Sequence, residues 1–100
     1  MADIGTDHGY LPVYLVENEL VSRAIASDTN QQPLKKAEKI IKEQQLEKQI
    51  ETRLGSGLSV LKPGEVDAVV MAGMGGLLIR DLLEAQPDVA RQQKKLVLQP

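Results

Sequence analysis

The residues of this sequence best suited to bind a charged ligand are aspartates and glycines near its beginning. The segment 2–12 reads Ala-Asp-Ile-Gly-Thr-Asp-His-Gly-Tyr-Leu-Pro, with Asp3 at the end of an apolar run and glycines at Gly5 and Gly9. Glycine lets the backbone turn sharply and approach a ligand closely. This pattern is typical of a loop that binds S-adenosylmethionine (AdoMet). An ordinary strand-to-helix turn, in which Asp7 helps to cap the helix, is the alternative.

The charge of this segment favours AdoMet over a dinucleotide. The dinucleotide fingerprint G-x-G-x-x-G fails, because Asp7 replaces its second glycine and Tyr10 its third. The Asp7 carboxylate would repel a pyrophosphate, whereas the sulfonium and ammonium groups of AdoMet are cations that carboxylates favour. His8 is the only histidine of the chain, and it is either a polar contact of the pocket or a residue at the helix start. We expect no metal site, since one histidine lacks companion ligands.

Three later segments add candidate binding residues. Asp28 follows the loop at about the distance at which an acidic residue meets a ribose in Rossmann-type sites, although a turn cap is the alternative. The turn Gly55-Ser56-Gly57-Leu58 comes where such folds place the adenine ring, and a flexible turn fits it equally well. The segment Ala72-Gly73-Met74-Gly75-Gly76 would let a ligand or target base approach the backbone, unless its glycines serve helix packing. At Gly75 we expect a side chain to add bulk and to disfavour a positive φ.

Alternating strands and helices are predicted to position these segments. We expect strands at residues 1–4, 24–26, 50–54, 66–71 and 95–98, and helices at 12–22, from Pro33 onward, and at 77–85. This alternation predicts an α/β fold with a parallel sheet in the order 3-2-1-4-5. The ligand crevice would then lie at the carboxyl ends of strands 1 and 4, where the order reverses.

Composition narrows the class of protein. One hundred residues allow one domain at most. The formal net charge of −2 means that the chain as a whole lacks the excess of positive charge typical of nucleic-acid-binding proteins. The absence of cysteine excludes disulfides, thiolate zinc sites and a cysteine nucleophile. No apolar run approaches the roughly 20 residues of a membrane span, and no cleavable signal opens the chain, so we expect a cytoplasmic protein that does not enter a membrane. The short first strand and the end after strand 5 predict a fold truncated at both ends.

Five segments in a fixed order carry a resemblance to a known family. They are residues 2–12 as quoted, Arg-Leu-Gly-Ser-Gly-Leu (53–58), Ala-Gly-Met-Gly-Gly (72–76), Leu-Ile-Arg-Asp-Leu-Leu (78–83) and Leu-Val-Leu-Gln-Pro (96–100). Together they resemble the bacterial tRNA adenine-N1 methyltransferases of the TrmK type, which act on adenosine 22. The resemblance implies a Rossmann-like class I methyltransferase fold, AdoMet as cofactor, and tRNA bound mainly by family segments that are absent here. Residues 1–100 would then be a partial AdoMet-binding methyltransferase domain.

The resemblance also assigns contacts to individual residues. It places on the methionine side of the cofactor Asp3, Gly5, Asp7, His8, Tyr10 and Leu11. It places at the ribose Asp28 and Thr29, at the adenine Gly55, Ser56, Gly57 and Leu58, and beside the methyl-transfer channel Gly73, Met74 and Gly75. It identifies no catalytic residue. Two alternatives stay open, namely a non-catalytic fragment that binds AdoMet or a nucleotide, and a small-molecule methyltransferase.

Overall fold

The computed structural model describes residues 1–99 and contains one parallel sheet with helices on both faces. Its strands are β1 (Ala2–Ile4), β2 (Ala24–Asp28), β3 (Ile50–Leu54), β4 (Ala68–Ala72) and β5 (Lys95–Gln99). Its helices are α1 (Tyr10–Glu17), α2 (Gln31–Glu43), α3 (Gly76–Ala85) and α4 (Pro87–Arg91), with a 3-10 helix at Gly57–Val60. The strand order is β3-β2-β1-β4-β5, and all four pairings are parallel. The predicted α/β class and strand order are therefore confirmed.

Each face of the sheet has its own apolar core, because successive strand residues point to opposite sides. The 3-10 helix, α3 and α4 cover one face, and the core there consists of Ala2, Ile4, Ile25, Leu58, Leu61, Val69, Met71, Ile79 and Val89. Helices α1 and α2 cover the other face, with a core of Val13, Val16, Ala24, Ala26, Ile41 and Ile50. Aliphatic side chains fill both cores, as a chain with only two aromatic residues requires.

Helix α1 ends at Glu17, five residues before the predicted boundary at residue 22. Asn18 follows as the C-cap, and its side-chain amide donates a hydrogen bond to the carbonyl oxygen of Tyr14 at 2.8 Å. Glu19 then adopts a φ of +57°. A left-handed residue directly after a helix turns the chain away from the helix axis. The early end therefore follows from the local conformation of Asn18 and Glu19.

Small shifts at two other elements have local causes. Helix α2 begins at Gln31, so Pro33 lies in its first turn. The N–H groups of a first turn make no hydrogen bond within the helix, so proline, which lacks an N–H, is tolerated there. Strand β4 begins at Ala68, two residues later than predicted. The carbonyl of Asp67 accepts hydrogen bonds from the N–H groups of both Lys94 and Lys95, at 2.8 and 3.1 Å, and regular pairing starts after it.

Strand β5 forms one edge of the sheet within residues 1–99. All five of its residues are exposed, among them the apolar side chains of Leu96, Val97 and Leu98. The opposite edge is β3. No helix in this part of the chain is long and apolar enough to cross a membrane.

Candidate functional site

A cleft opens beyond the carboxyl ends of β1, β2 and β4, where the strand order reverses. Its volume is about 340 Å³, which lies within the usual range of small-molecule sites. Eight of the predicted binding residues line it, namely Gly5, Asp28, Thr29, Gly55, Ser56, Gly57, Gly73 and Met74. The topology thus brings together four segments that are far apart in the sequence, at the place where open α/β sheets bind their ligands.

Five residues to which the sequence analysis assigned no contact also line the cleft. They are Ile4, Asn30, Ala72, Leu78 and Leu82. Leu78 and Leu82 lie four residues apart on α3 and therefore share one face of that helix. Their spacing directly after the glycine cluster was the available sequence signal. Both side chains give the cleft an apolar wall, and Leu82 packs against Gly57 in the turn after β3.

The remaining predicted residues lie outside the cleft lining. They are Asp3, Asp7, His8, Tyr10, Leu11, Leu58 and Gly75. The side chain of Leu58 is 1% exposed and packs in the core, because the 3-10 helix turns it inward. It does not face the cleft at the predicted adenine position. Tyr10 is instead 67% exposed at the first residue of α1.

The loop between β1 and α1 is shaped by left-handed backbone conformations and tied to Asp28. The φ angles of Gly5, Asp7 and Gly9 are +74°, +58° and +77°, a region that suits glycine and that aspartate tolerates better than most residues. The N–H of Asp7 donates to Oδ2 of Asp28 at 3.0 Å, and the N–H of Asn30 donates to Oδ1 at 2.9 Å. Asp28 is therefore a turn cap, and each carboxylate oxygen keeps a further lone pair for a ligand hydroxyl.

Asp3 lies buried beneath this loop and is 5% exposed. The hydroxyl of Thr6 donates to its Oδ2 at 2.8 Å, and the N–H of Thr6 donates to the carbonyl of Ser27 at 2.7 Å. Burial raises the pKa of Asp3 to about 6; the Thr6 hydrogen bond opposes this rise and the nearby Asp28 charge adds to it. None of the ion pairs within residues 1–99 involves Asp3 or Asp28. The site thus carries negative charge that a cationic ligand would neutralise.

The glycine cluster after β4 leaves open space beside the backbone. Gly73 has a φ of +75°, and a Cβ atom built there would meet nothing within 4 Å. Gly75 does not have a positive φ: it is the N-cap of α3 and has the extended angles φ −64° and ψ 150° usual for that position, so only the bulk of a side chain would matter there. A Cβ at Gly75 also meets open space. Across the cleft, a Cβ at Gly5 would lie only 2.6 Å from Cε of Met74.

Arg53 connects the end of β3 to the segment that follows the 3-10 helix. Its guanidinium donates two hydrogen bonds to Glu65, at 2.7 and 2.5 Å, and one to the carbonyl of Val60 at 2.6 Å. The Arg53 guanidinium and the backbone N–H of Lys62 lower the pKa of Glu65 to about 2. The turn 55–57 lines the cleft and lies between Arg53 and Val60. The hydrogen bonds of Arg53 to Val60 and Glu65 therefore hold both ends of this turn.

A larger cleft, of about 660 Å³, lies at the amino ends of the strands. Charged side chains such as Arg23, Lys48 and Asp67 line it. It lies away from the switch point and from the glycine turns, so the smaller cleft is the better candidate for a ligand site. Across the described residues, 1–99, no group of three or more His, Cys, Asp or Glu side chains is arranged to hold a metal ion.

A parallel sheet in the order 3-2-1-4-5, with a glycine turn after β1 and an acidic residue after β2 beside one cleft, defines a Rossmann-like methyltransferase fold. The family comparison agrees: the chain belongs to the methyltransferase domain family, whose model matches residues 1–100.

Individual relatives match the chain over most or all of its length. It is 46% identical over 100 residues to the tRNA (adenine(22)-N(1))-methyltransferase of Bacillus subtilis (strain 168). That alignment covers all of this chain and 42% of the B. subtilis protein. The structure of M. capricolum TrmK in complex with S-adenosyl-homocysteine matches with a TM-score of 0.79 and 44% identity, covering 83% of this chain and 38% of that one.

A Streptococcus pneumoniae protein in complex with S-adenosyl-L-methionine matches with a TM-score of 0.92 and 35% identity, covering 97% of this chain and 46% of that one. The resemblance that the sequence motifs indicated is confirmed by these matches. The chain spans less than half the length of each of these three relatives.

Proposed function

We propose that this chain is the AdoMet-binding part of a methyltransferase that modifies N1 of adenosine 22 in tRNA. The observation that carries the proposal is the cleft itself, which is lined by glycines and by Asp28, with Asp3 buried beneath the adjoining loop and neither carboxylate paired with a cation among residues 1–99. Its setting adds support, since the whole chain is 46% identical to a tRNA (adenine(22)-N(1))-methyltransferase.

The residues around the cleft fit AdoMet in shape and charge. Asp28 offers free lone pairs to ribose hydroxyls, and Gly5 allows close approach of the ligand to the backbone after β1. The turn 55–57 and the apolar side chains of Leu78 and Leu82 suit a flat adenine ring. The buried carboxylate of Asp3 favours the cationic methionine end of the ligand over the pyrophosphate of NAD.

Positioning accounts for catalysis at this site better than acid–base chemistry. AdoMet supplies a methyl group on a sulfonium, and adenine N1 has a free lone pair at neutral pH with which to accept it. The chain therefore needs to align two reactants and exclude water, which can supply a large part of a rate enhancement. Gly73 and Gly75 leave room for the target base beside the cleft, and the side chain of Met74 extends from this segment toward Gly5.

The partner in this proposal is tRNA, bound in the cytoplasm mainly by parts of the enzyme outside this chain. The net charge of −2 argues against strong phosphate binding by residues 1–100. The lysines of α2, namely Lys35, Lys36, Lys39 and Lys42, lie on an exposed helix that flanks the sheet and do not line the cleft. Coverage of 42% of the B. subtilis relative is consistent with a longer enzyme.

A methyl-transfer assay with labelled AdoMet tests this function. The 100-residue chain and a version extended at both ends are each given unmodified tRNA with adenosine at position 22, and the same tRNA with guanosine there. We expect label only in the adenosine tRNA and only with the extended version. Equal labelling of both tRNAs would contradict the proposed target, and equal turnover by both proteins would contradict the assignment of tRNA binding to other segments.

A further inference from the structure

Two aromatic rings lie nearly parallel at the start of α1, beyond the edge of the cleft. The ring centroids of His8 and Tyr10 are 5.7 Å apart and their planes differ by 17°. Tyr10 is 67% exposed, although the chain has only two aromatic residues besides its single histidine. A large exposed ring stacked on a second ring offers a flat surface to a ligand.

The local backbone fixes these rings relative to the cleft. Gly9 lies between them as the N-cap of α1, with a φ of +77°, and a Cβ there would come 2.8 Å from Cβ of Ala37 in α2. Nδ1 of His8 lies 3.2 Å from Oδ2 of Asp7. The N–H of Asp7 in turn donates to Asp28 at the cleft. The rings are therefore connected to the candidate cofactor site without lining it.

We propose that the paired rings of His8 and Tyr10 are the platform on which the target adenine stacks once it has left the tRNA helix. A base must leave the stack to reach an enzyme pocket, and aromatic side chains commonly receive such bases because every base has a π face. This inference rests on the proposed function, since it concerns the second substrate of the same site.

The charge beside the rings fits this ligand in particular. Methylation at N1 makes the adenine a cation, and the Asp7 carboxylate beside the ring pair is 70% exposed. A carboxylate and two aromatic faces stabilise a cationic base, whereas they offer nothing to a phosphate. Tyr10 is accordingly assigned to the base and not to the methionine side of AdoMet.

Substitution of the two tyrosines of α1 tests the platform in the extended enzyme. Tyr10→Ala removes the proposed surface, and Tyr14→Ala is the matched control, because Tyr14 is 58% exposed one turn further along the same helix. We expect Tyr10→Ala to lower kcat/KM for tRNA by about tenfold to a hundredfold. The Kd for AdoMet and the unfolding midpoint should stay as in the wild type, and Tyr10→Phe should restore turnover.

A second measurement does not depend on turnover. The fluorescence of 2-aminopurine placed at position 22 of the tRNA should be quenched by the wild type, by Tyr10→Phe and by Tyr14→Ala. It should be brighter on Tyr10→Ala, which lacks the stacking surface. If the wild type methylates tRNA but Tyr10→Ala and Tyr14→Ala have equal kcat/KM, the proposed platform is overturned and the proposed function is not. A parallel loss of AdoMet affinity would instead assign Tyr10 to the cofactor. A wild type that binds AdoMet but methylates no tRNA would refute the proposed function and the platform with it.

Discussion

Replacement of Asp3 by asparagine should stabilise the empty protein while weakening its ligand site. Asparagine keeps an acceptor for the Thr6 hydroxyl but removes a charge that is only 5% exposed. Burial raises the pKa of this carboxyl from 3.8 to about 6. The folded protein therefore holds the Asp3 proton up to a higher pH than the unfolded chain does.

The pH dependence follows from this difference in proton binding. Below about pH 3.8 both states are protonated at Asp3, and the group does not affect the free energy of unfolding. Between pH 3.8 and about 6 the unfolded chain ionises first, so this contribution to stability decreases as the pH rises. Above about pH 6 both states are ionised and the full cost remains, which corresponds to about 3 kcal/mol.

Urea unfolding of wild type and Asp3→Asn between pH 4 and 8 measures this cost. Relative to the wild type, the variant should gain about 2–3 kcal/mol of stability between pH 4 and pH 7.5, because only the wild type carries the pH-dependent cost, and the buried amide shifts the difference by the same amount at every pH. Thr6→Val is the control: it removes the hydrogen bond that lowers the Asp3 pKa, so its loss of stability with rising pH should be larger than that of the wild type and should extend to higher pH.

The same variant should bind AdoMet more weakly at pH 7.5, by about tenfold or about 1.4 kcal/mol. Titration calorimetry measures this change, and S-adenosylhomocysteine, which lacks the sulfonium charge, should lose less affinity. A stability difference that is constant from pH 4 to 8 would refute the reasoning about Asp3. So would a variant that binds AdoMet as tightly as the wild type, since the buried charge would then serve no ligand.

Three further substitutions test other parts of the site. Asp28→Ala should lower both the stability of the empty protein, by about 1–3 kcal/mol, and the affinity for AdoMet, because its carboxylate caps two N–H groups and lines the cleft; urea unfolding and calorimetry separate the two effects. Gly73→Ala should lower the free energy of unfolding by about 1–2 kcal/mol because Gly73 has a positive φ. Gly75→Ala should leave that free energy unchanged in the same assay but abolish methyl transfer. Full methyl-transfer activity of Gly75→Ala would show that no ligand approaches the backbone there. Glu65→Gln should cost about 1.5–3 kcal/mol at pH 7 by weakening the Arg53 contacts. The Glu65 contribution is present above pH 4.5 and is lost as the pH falls toward about 2, so a variant whose difference from wild type survives at pH 2 would contradict it.

The fold was predictable because the strands are short and β1 to β4 each end at, or directly before, a glycine or aspartate, namely Gly5, Asp28, Gly55 and Gly73. Asp28 and Gly55 mark the ends of β2 and β3, and the parallel arrangement then brings those ends to one edge of the sheet. The end of α1 was less predictable, since it depends on the left-handed conformation of Glu19, which glutamate does not signal. Short elements such as α4 lack a periodic pattern long enough to recognise.

The residues that line the cleft were predictable where backbone chemistry determines the lining and were missed where side-chain packing determines it. Glycines and Asp28 carry their role in their residue type, so the sequence reasoning selected them. Leu78 and Leu82 are ordinary helix residues whose position at the cleft depends on the packing of α3 beside the turn at Gly57. The burial of the Leu58 side chain depends on packing in the same way, because the 3-10 helix turns it into the core.

Binding of AdoMet against NAD tests the central claim most directly. The extended protein is titrated in a calorimeter at pH 7.5 with AdoMet, S-adenosylhomocysteine and NAD. The titrations compare the affinity of the glycine-lined cleft for a molecule with a sulfonium cation, one without it, and one with a pyrophosphate. The carboxylates of Asp3 and Asp28 predict binding of the first two and no measurable heat with NAD. Binding of NAD as tight as that of AdoMet would contradict the assignment of this cleft to a methyl donor.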